Sequence, residues 1–430
     1  MTTTCKRLVS VSVPRSGHHL MVQLMTNYFE FGQFLHCEAY TYEHCCKRVP
    51  CNVVERRAQE AYGKADELRL FVQKSHDLEY EVPVDCEQSY LVQTRDPAQA
   101  AIGWLRWEMA YGYRGNFSMG DIPGEIFKFL CYYIRFYHKW YSQNPHRIRP
   151  PKSYVLHYED LVARAGTAVE AVSRFLQWAE LPLDKARLEL AFEKSLRVDA
   201  HSGEGRAGNA SQYSVGYYDD ICGGAFRFLL NKVAAYCPGI RFNSVDGQED
   251  AKQRNLFEQL FAIVDLSSAS VAALDFTVEA RKLRSDTVAV ASGCPVVSQA
   301  FGLSFGNVGD GVWTQGDVVM LPFRASALPQ AITGSITFAA LADPRILSGL
   351  SLDVVINGSF SPCEVVVTTG AAEARLDFRF AATAGNDAMS RDGLLVLKLT
   401  RSAEFGSGGL HMPNLLIKHL LFSTSMTSLV

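Results

Sequence analysis

The sequence predicts an α/β domain with a P-loop-like parallel sheet flanked by helices, followed by an all-β sandwich domain. In the first half, short apolar runs alternate with segments of helical periodicity, which is typical of parallel strands joined by crossover helices. The first run leads into Pro14-Arg15-Ser16-Gly17, a polar turn between a strand and a helix. From about residue 292 the pattern changes to short alternating segments separated by Gly, Asn, Asp, Ser and Pro, which indicates antiparallel strands.

The apolar runs of the first half predict four strands, and the segments between them predict helices. The strands are expected at residues 7–13, 68–73, 90–93 and 153–157, and the helices at residues 18–28, 98–111, 122–141 and 167–179. Loops that follow parallel strands meet outside one edge of a doubly wound sheet, where ligands bind. We therefore expect the polar residues that follow these strands to lie close together.

The second half predicts a separate domain of short strands. They are expected at residues 318–323, 331–338, 352–357, 363–369, 375–380, 394–399 and 415–422. Spacings of roughly 10–20 residues are typical of an antiparallel sandwich. These patterns divide the chain into a first domain at residues 1–245, a linker at 246–291 with a helix at 254–263, and an accessory sandwich at 292–430.

The composition favours a folded protein whose main partner is neither nucleic acid nor a membrane. Hydrophobic residues make up 48% of the 430 residues and charged residues 20%, and the formal net charge is −3. That charge provides no general attraction to nucleic acid or to an anionic membrane. The sequence shows no signal-peptide pattern and no apolar run of the roughly 20 residues that a membrane helix needs, so we expect a cytoplasmic protein.

Four of the eleven cysteines lie close together in the sequence, with two histidines beside them. This group consists of Cys37, Cys45, Cys46, Cys51, His36 and His44. Its spacing lacks the CxxC pairs of a structural zinc site, and a disulfide would be unusual in a reducing compartment. Buried thiols are the favoured interpretation, and a disulfide and a metal site stay open as alternatives.

The turn Pro14-Arg15-Ser16-Gly17-His18-His19 has the position of a phosphate-binding loop. Backbone N–H groups and the positive end of a helix dipole face such a turn, and the Arg15 guanidinium suits phosphate or sulfate oxygens. The GxxxxGK[ST] spacing of a Walker A motif is absent, and with it the lysine that a P-loop kinase needs. An anion-binding loop of another kind is therefore favoured, with an ordinary βα turn as the alternative.

Three further loops and one late segment extend this pattern. Lys74-Ser75-His76, Arg95-Asp96-Pro97 and Tyr158-Glu159-Asp160-Leu161 each follow a predicted strand, and Arg206-Ala207-Gly208 comes later in the chain. Together with the turn at residues 14–19, these motifs resemble in order those of the sulfotransferases that use 3′-phosphoadenylyl sulfate (PAPS) as co-substrate. The resemblance covers about residues 8–215. Each motif is short, but their order and their positions after strands agree with the family.

The resemblance implies a catalytic set and a co-substrate-binding set of residues. His76 would be the general base, and Lys74 and Arg15 would stabilise the charge that develops during transfer. Tyr158 would face the adenine, while Arg95 and the segment at Arg206 would hold the 3′-phosphate. The implied co-substrate contacts are Arg15, Ser16, Gly17, His18, His19, Arg95, Gly103, Tyr158, Arg206 and Gly208. No metal is implied, because fixed cations carry the charge.

Three features depart from the family pattern. His18 and His19 stand where the family has two threonines, Gly103 where it has a serine on the 3′-phosphate, and Leu20 where cytosolic members have a tryptophan. A protonated imidazole would substitute for a threonine hydroxyl. Phosphosulfate affinity is then expected to weaken as the pH rises from about 6 to 8, because an imidazole loses its proton in this range.

Several residues also have structural interpretations. Glu159 and Asp160 suit a helix N-terminus, and Phe192, which resembles an adenine-contacting Phe of the family, is typical of a core. An aromatic group either lines an acceptor cleft or belongs to the core, namely Trp104, Trp107, Tyr111 and Tyr113. If His76 is not the base, the remaining candidates are Glu38, His36 and Glu108.

The predicted sandwich indicates the class of acceptor. The segments Phe305-Gly306-Asn307, Gly311-Val312-Trp313-Thr314-Gln315-Gly316 and Val355-Ile356-Asn357-Gly358 resemble the β-sandwich of many bacterial polysaccharide glycosyltransferases. This resemblance implies a bacterial glycan or glycan precursor as the acceptor. The predicted function is transfer of a sulfo group from PAPS to a hydroxyl of that acceptor, and a non-catalytic glycan- or nucleotide-binding protein on the same fold is the alternative.

Overall fold

The computed structural model divides the chain into two compact units. The first consists of residues 1–77, 82–106 and 148–214, and the second of residues 78–81, 107–147 and 215–430. The residues that the structure describes are 5–38, 49–63, 66–78, 82, 84, 87–111, 119–141, 152–163, 165–201, 214–242, 261, 264–265, 271–275, 301–304, 311–325, 331–339, 347, 349–356, 358–381, 391–399 and 415–425. The boundaries predicted at residues 245 and 291 both fall inside the second unit.

The first unit contains a parallel sheet, which confirms the predicted α/β architecture. Its strands are β1 (Lys6–Ser12), β2 (Phe34–Glu38), β3 (Leu70–Ser75), β4 (Ser89–Thr94) and β5 (Ser153–His157), in the order β2-β3-β1-β4-β5. Every neighbouring pair is parallel. Four of these strands coincide with the predicted ones. The sequence analysis missed β2.

Helices connect these strands and also occur in the second unit. In chain order they are α1 (His18–Tyr28), α2 (Val54–Tyr62), α3 (Pro97–Tyr111), α4 (Ile122–Phe136), α5 (Tyr158–Leu161), α6 (Ala165–Trp178), α7 (Lys185–His201), α8 (Val215–Ile221) and α9 (Ala225–Tyr236). A short 3-10 turn at Met119–Asp121 precedes α4, and a π-helical turn at Tyr137–Tyr141 follows it. No helix within the described part of the chain is long and apolar enough to cross a membrane.

One face of the parallel sheet packs against α1, α6 and α7. Leu8, Val72, Leu91 and Leu156 supply its apolar centre, and they contact buried side chains of the three helices. Side chains alternate between the two faces of a strand, so residues two apart share a face. Along this face strands β1 to β4 become polar towards their carboxyl ends, at Ser10 and Ser12, His36 and Glu38, Lys74, and Gln93. The apolar core therefore ends where the ligand-binding edge of the sheet begins.

The other face of the sheet packs on α2. Leu35, Cys37 and Phe71 form a small apolar cluster there with Cys51, Val54 and Ala58. Cys37 and Cys51 are buried, and Cys45 and Cys46 lie outside the described residues. Both described cysteines of this group thus contribute to packing.

The second unit contains two mainly antiparallel sheets. Its strands are β6 (Val264–Asp265), β7 (Val271–Asp275), β8 (Leu303–Ser304), β9 (Val312–Thr314), β10 (Val318–Ala325), β11 (Ala331–Ala339), β12 (Leu350–Ile356), β13 (Ser359–Pro362), β14 (Glu364–Thr369), β15 (Glu373–Ala381), β16 (Arg391–Leu399) and β17 (Leu416–Ser425). One sheet has the order β13-β12-β16-β10-β6 and the other β14-β15-β11-β17-β9-β8, with β7 also paired to β17. All seven predicted strands are present. Strands β6 and β7 lie within the predicted linker, and most of the predicted helix at 254–263 falls outside the described residues.

Aromatic side chains hold the two sheets of the second unit face to face. The ring of Phe323 on β10 lies 5.7 Å from that of Phe422 on β17 and 6.4 Å from that of Phe380 on β15. Gly393 on the neighbouring strand β16 leaves room for this ring, since a β-carbon there would lie 2.0 Å from an atom of Phe323. The antiparallel β-region thus has a packed aromatic centre.

Charged groups join α4 and α9 to the strands of the second unit. Arg135, which is buried, donates from Nη2 to the carbonyl oxygen of Gln315 at 2.8 Å and from Nε to that of Val318 at 3.1 Å. Lys139 in the π-helical turn forms a 3.0 Å ion pair with Asp317, and both side chains are almost fully buried. A boundary at residue 245 would separate these helices from the strands that they contact.

Candidate active site

The loop between β1 and α1 lies at the carboxyl edge of the parallel sheet. The N–H of Val13 donates to the carbonyl oxygen of Gln93 at 3.0 Å, and the Ser16 hydroxyl donates to the same oxygen at 3.3 Å. The loop is thus attached at two points to β4. Arg15 is exposed between them, with a left-handed φ of 66°.

Helix α1 begins directly after this loop without a side-chain cap. Gly17 is its N-cap, and no acidic residue is present in the first turn. The first N–H groups of a helix have no intrahelical acceptor, and the helix dipole is positive at that end. With Arg15 beside it, this turn is suited to bind an anion.

Gly17 permits an aromatic ring to lie directly against the loop. Its φ is 83°, and a β-carbon at this position would lie 2.4 Å from Cδ2 of Tyr158. The Arg95 guanidinium carbon lies 4.2 Å above the centre of the same ring, and Nη1 of Arg95 donates to the Arg15 carbonyl oxygen at 3.0 Å. Tyr158 and Arg95 therefore support the loop and place a second guanidinium beside it.

Hydrogen bonds also hold the start of α3 beside the loop. The Asp96 carboxylate accepts from the N–H of Gln99 at 3.0 Å and caps the helix, while the Asp96 N–H donates to Glu159 at 2.8 Å. Glu159 thus has a structural role, in the segment Arg95-Asp96-Pro97 rather than at the start of its own helix.

Gly103 on α3 lies next to both guanidinium side chains. A β-carbon there would lie 3.1 Å from Cβ of Arg15 and 3.7 Å from Nη1 of Arg95. The structure thus brings Arg15, Arg95, Gly103 and Tyr158 together, as the sequence predicted. Arg206 and Gly208 lie outside the described residues.

Lys74 is paired with a residue that the sequence analysis considered only as an alternative base. Its Nζ lies 2.9 Å from Oε1 of Glu38, at directly opposed positions of β3 and β2, and Lys74 is buried. Burial acts to raise the pKa of Glu38, but the hydrogen bond and the charge of Lys74 outweigh it and lower that pKa. The site therefore contains a fixed carboxylate as well as a fixed ammonium.

His76 follows β3 directly and is partly buried. Its Nδ1 lies 2.8 Å from the carbonyl oxygen of Ser12 and 3.2 Å from the Ser12 hydroxyl. A carbonyl oxygen can only accept, so Nδ1 carries the proton and Nε2 carries the basic electron pair. Burial, and next the charge of Lys74, lower the pKa of His76 to about 4, which keeps the imidazole neutral at physiological pH.

His18 does not have the role that the sequence analysis expected. It is buried, its Nδ1 lies 2.8 Å from Oε1 of Gln93, and its Nε2 lies 2.9 Å from Nε2 of His36. Burial, and next the charge of Lys74, lower its pKa well below 6.5. The expectation of a protonated His18 that donates to a phosphosulfate is therefore wrong, because the ring is neutral and both nitrogens are hydrogen-bonded inside the unit. His19, the next residue, is exposed at the first turn of α1.

Stability is expected to fall as the pH drops from 6.5 towards 4. His18, His36 and His76 all have lowered pKa values in the folded protein, with that of His36 at about 4 because of its burial. In this window the unfolded chain binds protons that the folded protein excludes, so the stabilisation present above pH 6.5 is lost on acidification. Each such histidine contributes about 1.4 kcal/mol per pH unit to the slope of the free energy of unfolding against pH.

Urea unfolding at about pH 7, 6 and 5 measures this slope, which His36→Gln and His76→Asn should each reduce. A slope that neither variant changes would contradict the prediction.

The remaining residues that the sequence analysis considered for the site lie in the core, on α3 or outside the described residues. Phe192 is buried in the core beneath the sheet, which is the structural interpretation that the sequence analysis gave. Trp104 and Trp107 on α3 are partly buried, and Tyr113 lies outside the described residues, so an acceptor cleft there stays a prediction. Among the described residues, no group of three His, Cys, Asp or Glu side chains could hold a metal ion.

Three residues near the loop were missed or given a lesser role by the sequence analysis. Gln93 contacts the loop through both its main chain and its side chain, His36 contacts His18, and Glu38 pairs with Lys74. The sequence contains a signal for them. Each is a polar residue near the end of a strand, and the earlier residues on the same face of that strand are apolar.

Comparisons with known proteins find similarity only at the level of solved structures. No protein-family model and no curated protein sequence matches this chain. A mouse sulfotransferase complexed with PAP is 13% identical with a TM-score of 0.33, over 60% of this chain and 83% of that one. The sulfotransferase STF9 from Mycobacterium avium is 11% identical with a TM-score of 0.31, over 52% of this chain and 76% of that one. A retinol dehydratase in complex with retinol and PAP is 12% identical with a TM-score of 0.31, over 56% of this chain and 85% of that one.

Proposed function

We propose that this protein transfers a sulfo group from PAPS to a hydroxyl of an acceptor. The observation that carries the proposal is the meeting of four loops at one edge of the parallel sheet. They contribute Arg15 at an uncapped helix N-terminus, Arg95, Tyr158, and the neutral imidazole of His76. An anion-binding turn beside a poised base is the combination that sulfo transfer requires.

The loop would bind the phosphosulfate end of the co-substrate. Arg15 and the first-turn N–H groups of α1 would contact its oxygens, with Ser16, Gly17, His18 and His19 shaping the turn. On the family's pattern, Arg95 would hold the 3′-phosphate and Tyr158 would lie near the adenine. Arg206 and Gly208 belong to the proposal on the strength of their sequence motif.

The reaction follows from the position of the proton on His76. Nε2 would remove the proton from an acceptor hydroxyl as its oxygen attacks sulfur, and the bond from sulfur to the bridging oxygen would break. The leaving group is adenosine 3′,5′-bisphosphate (PAP), whose new negative charge Arg15 and the helix N-terminus would stabilise. The anionic co-substrate would also raise the pKa of the imidazole, because a nearby negative charge favours its protonated form.

Lys74 would act together with Glu38. An ammonium has three donors, so Lys74 would contact a sulfo oxygen while it keeps its bond to the Glu38 carboxylate. Its burial and its bond to Glu38 limit the side chain to one position, which suits a group that orients the transferred sulfo group.

The acceptor we propose is a glycan or a glycan precursor. The support is the pattern around Gly311-Val312-Trp313, where β9 pairs with β17 in the second unit and Trp313 is partly buried. The flat apolar face of Trp313 would stack on a sugar ring of the acceptor. Phe305-Gly306-Asn307 and Asn357 lie outside the described residues.

Binding of PAP is expected to stabilise the protein more than ATP with magnesium does. Arg95 beside the loop, with the segment at Arg206, would bind a 3′-phosphate that ATP lacks. At 100 times its dissociation constant a ligand adds about 2.7 kcal/mol to the free energy of unfolding. Thermal shift and calorimetry with PAP, with ATP and magnesium, and with adenosine 5′-phosphosulfate measure the difference.

A matched control comes from Arg95 itself. Arg95→Lys keeps the charge but loses the planar fork, so it should weaken PAP binding more than adenosine 5′-phosphosulfate binding. Stronger protection by ATP would favour a kinase instead. PAP binding without turnover on any sugar hydroxyl would favour a non-catalytic nucleotide-binding protein.

A further inference from the structure

A continuous chain of hydrogen bonds runs beneath the anion-binding loop. The Ser10 hydroxyl donates to Oε1 of Gln93 at 3.1 Å, and the same oxygen lies 2.8 Å from Nδ1 of His18. Nε2 of His18 lies 2.9 Å from Nε2 of His36, whose ring centre is 5.0 Å from that of His18. The chain therefore joins β1, β4, α1 and β2.

The protons of this chain can be assigned from its chemistry. Oε1 of Gln93 is only an acceptor, so Nδ1 of His18 carries a hydrogen. A neutral His18 then has its electron pair on Nε2, and His36 must donate from its own Nε2. The direction of the hydrogen bond between the two rings depends on a neutral His18.

Burial and the charges nearby keep both rings neutral. Lys74 faces His18 and His36 from β3, Glu38 faces His36 from β2, and His19 faces them from α1. Burial is the largest cause of the lowered pKa of each ring. Lys74 and His19 lower the pKa of His36 further, and Glu38 opposes them. A second proton on His18 would occupy its Nε2 and place two donors against each other.

The chain is linked to the loop through two residues. Gln93 accepts from Val13 and Ser16 with its main-chain oxygen, and its side chain holds His18, the first residue of α1. A displaced His18 would thus move the start of the helix whose N–H groups face the anion. The hydrogen bond of the His36 ring goes to His18 and not to the loop backbone or to Arg15, so His36 acts on the loop through His18.

We propose that His36 is a positioning residue for the anion-binding loop, which it holds through the hydrogen bond from its Nε2 to His18. The proposal rests on the proposed function for the identity of the ligand, PAPS. For this role residue 36 must provide a hydrogen-bond donor at the position of the imidazole Nε2. The role does not require a basic group there.

Three substitutions at position 36 test whether the required group is a hydrogen-bond donor or a base. The amide nitrogen of glutamine reaches about the place of an imidazole Nε2, so His36→Gln keeps a donor but has no basic group. His36→Leu fills similar space without a donor and leaves the buried Nε2 of His18 unsatisfied. His36→Asn is too short to reach His18 and serves as a second, polar loss variant if the leucine variant folds poorly.

The test measures PAP affinity and the kinetics of PAPS-dependent transfer in the full chain. We expect His36→Leu and His36→Asn to weaken PAP binding and to raise KM for PAPS by about tenfold, as for a lost buried hydrogen bond, with kcat changed by less than about threefold. His36→Gln should restore both values to within about threefold of wild type. The nitrogen-15 NMR signals of His18 should show a proton on Nδ1 in the wild type and in His36→Gln, and a changed Nε2 signal in His36→Leu.

Each other outcome overturns the proposal in a distinct way. Wild-type affinity in His36→Leu would mean that the bond does not hold the loop, and equal losses in all three variants would mean that the donor is not the required property. A loss of kcat in His36→Gln as large as in His36→Leu would make His36 a base. If the wild type does not bind PAP, the proposed function fails, whereas the His18 signals and binding of inorganic pyrophosphate still decide whether His36 holds the loop.

Discussion

Turnover is expected to fall by about 10²–10⁴-fold when His76 is replaced by alanine, whereas PAP affinity changes by less than about threefold. The hydrogen bond from Nδ1 to the Ser12 carbonyl oxygen leaves Nε2 as the basic nitrogen, at the edge of the sheet where the loop and Lys74 also lie. Removal of a general base slows the chemical step, while the groups that bind the nucleotide stay in place. Single-turnover kinetics with PAPS, together with PAP calorimetry, measure the two effects separately.

His76→Asn is the matched control for this experiment. The asparagine amide keeps a donor for the Ser12 carbonyl oxygen but has no basic group, so its turnover should fall as far as that of His76→Ala. Since the pKa of His76 in the protein without ligand is about 4, kcat/KM should rise with pH through about 4 and level off above. Substantial turnover in both variants would remove His76 from the mechanism. A loss in Glu38→Gln with normal PAP binding would then assign the base to Glu38, whose carboxylate lies 2.9 Å from Lys74.

The second unit is expected to lose about 3–5 kcal/mol of stability when Lys139 is replaced by methionine. Lys139 and Asp317 form a 3.0 Å ion pair, and their side chains are 0% and 4% exposed. Loss of the ammonium removes the charge that Lys139 places against the buried Asp317 carboxylate, and breaking a buried ion pair on one side is costly. Urea unfolding followed by the fluorescence of the neighbouring Trp140 measures the change.

The double variant Lys139→Met with Asp317→Leu tests this reason directly. Replacing both partners by apolar side chains of similar volume removes the uncompensated charge, so most of the loss should be recovered. Asp317→Leu alone should be destabilising like Lys139→Met. If the double variant is as unstable as the sum of the two single ones, the effect comes from packing and the ion pair is not its cause.

Hydrophobic periodicity was sufficient to predict most strands of the fold. The runs at residues 68–73 and 90–93 are mostly apolar because both faces of a central parallel strand are covered, and they correspond to β3 and β4. Strand β2 was missed because Phe34-Leu35-His36-Cys37-Glu38 mixes polar and apolar residues. Its polar residues face the site, so function obscured the pattern that marks a strand.

The packing of α4 and α9 on the strands of the second unit could not be predicted from the same patterns. The helical periodicity of residues 122–141 is clear, but it does not indicate which strands cover the apolar face of the helix. Arg135 and Lys139 are buried against β10 and the residues just before it, and Lys232 on α9 pairs with Asp392 on β16. The partner of each charged group lies far away along the chain, so no local pattern of residues contains it.

The candidate site, like the fold, was predicted only in part from the sequence. The order of strands and loops determined that Arg15, Lys74, His76, Arg95 and Tyr158 would meet at one edge, because the carboxyl ends of parallel strands point the same way. Only the tertiary structure decided that Lys74 is paired with Glu38, that His18 is a neutral ring held by Gln93 and His36, and that Nε2 is the basic nitrogen of His76. Charge state and proton position depend on burial and on distances between groups from different strands, and the backbone must fold before either exists.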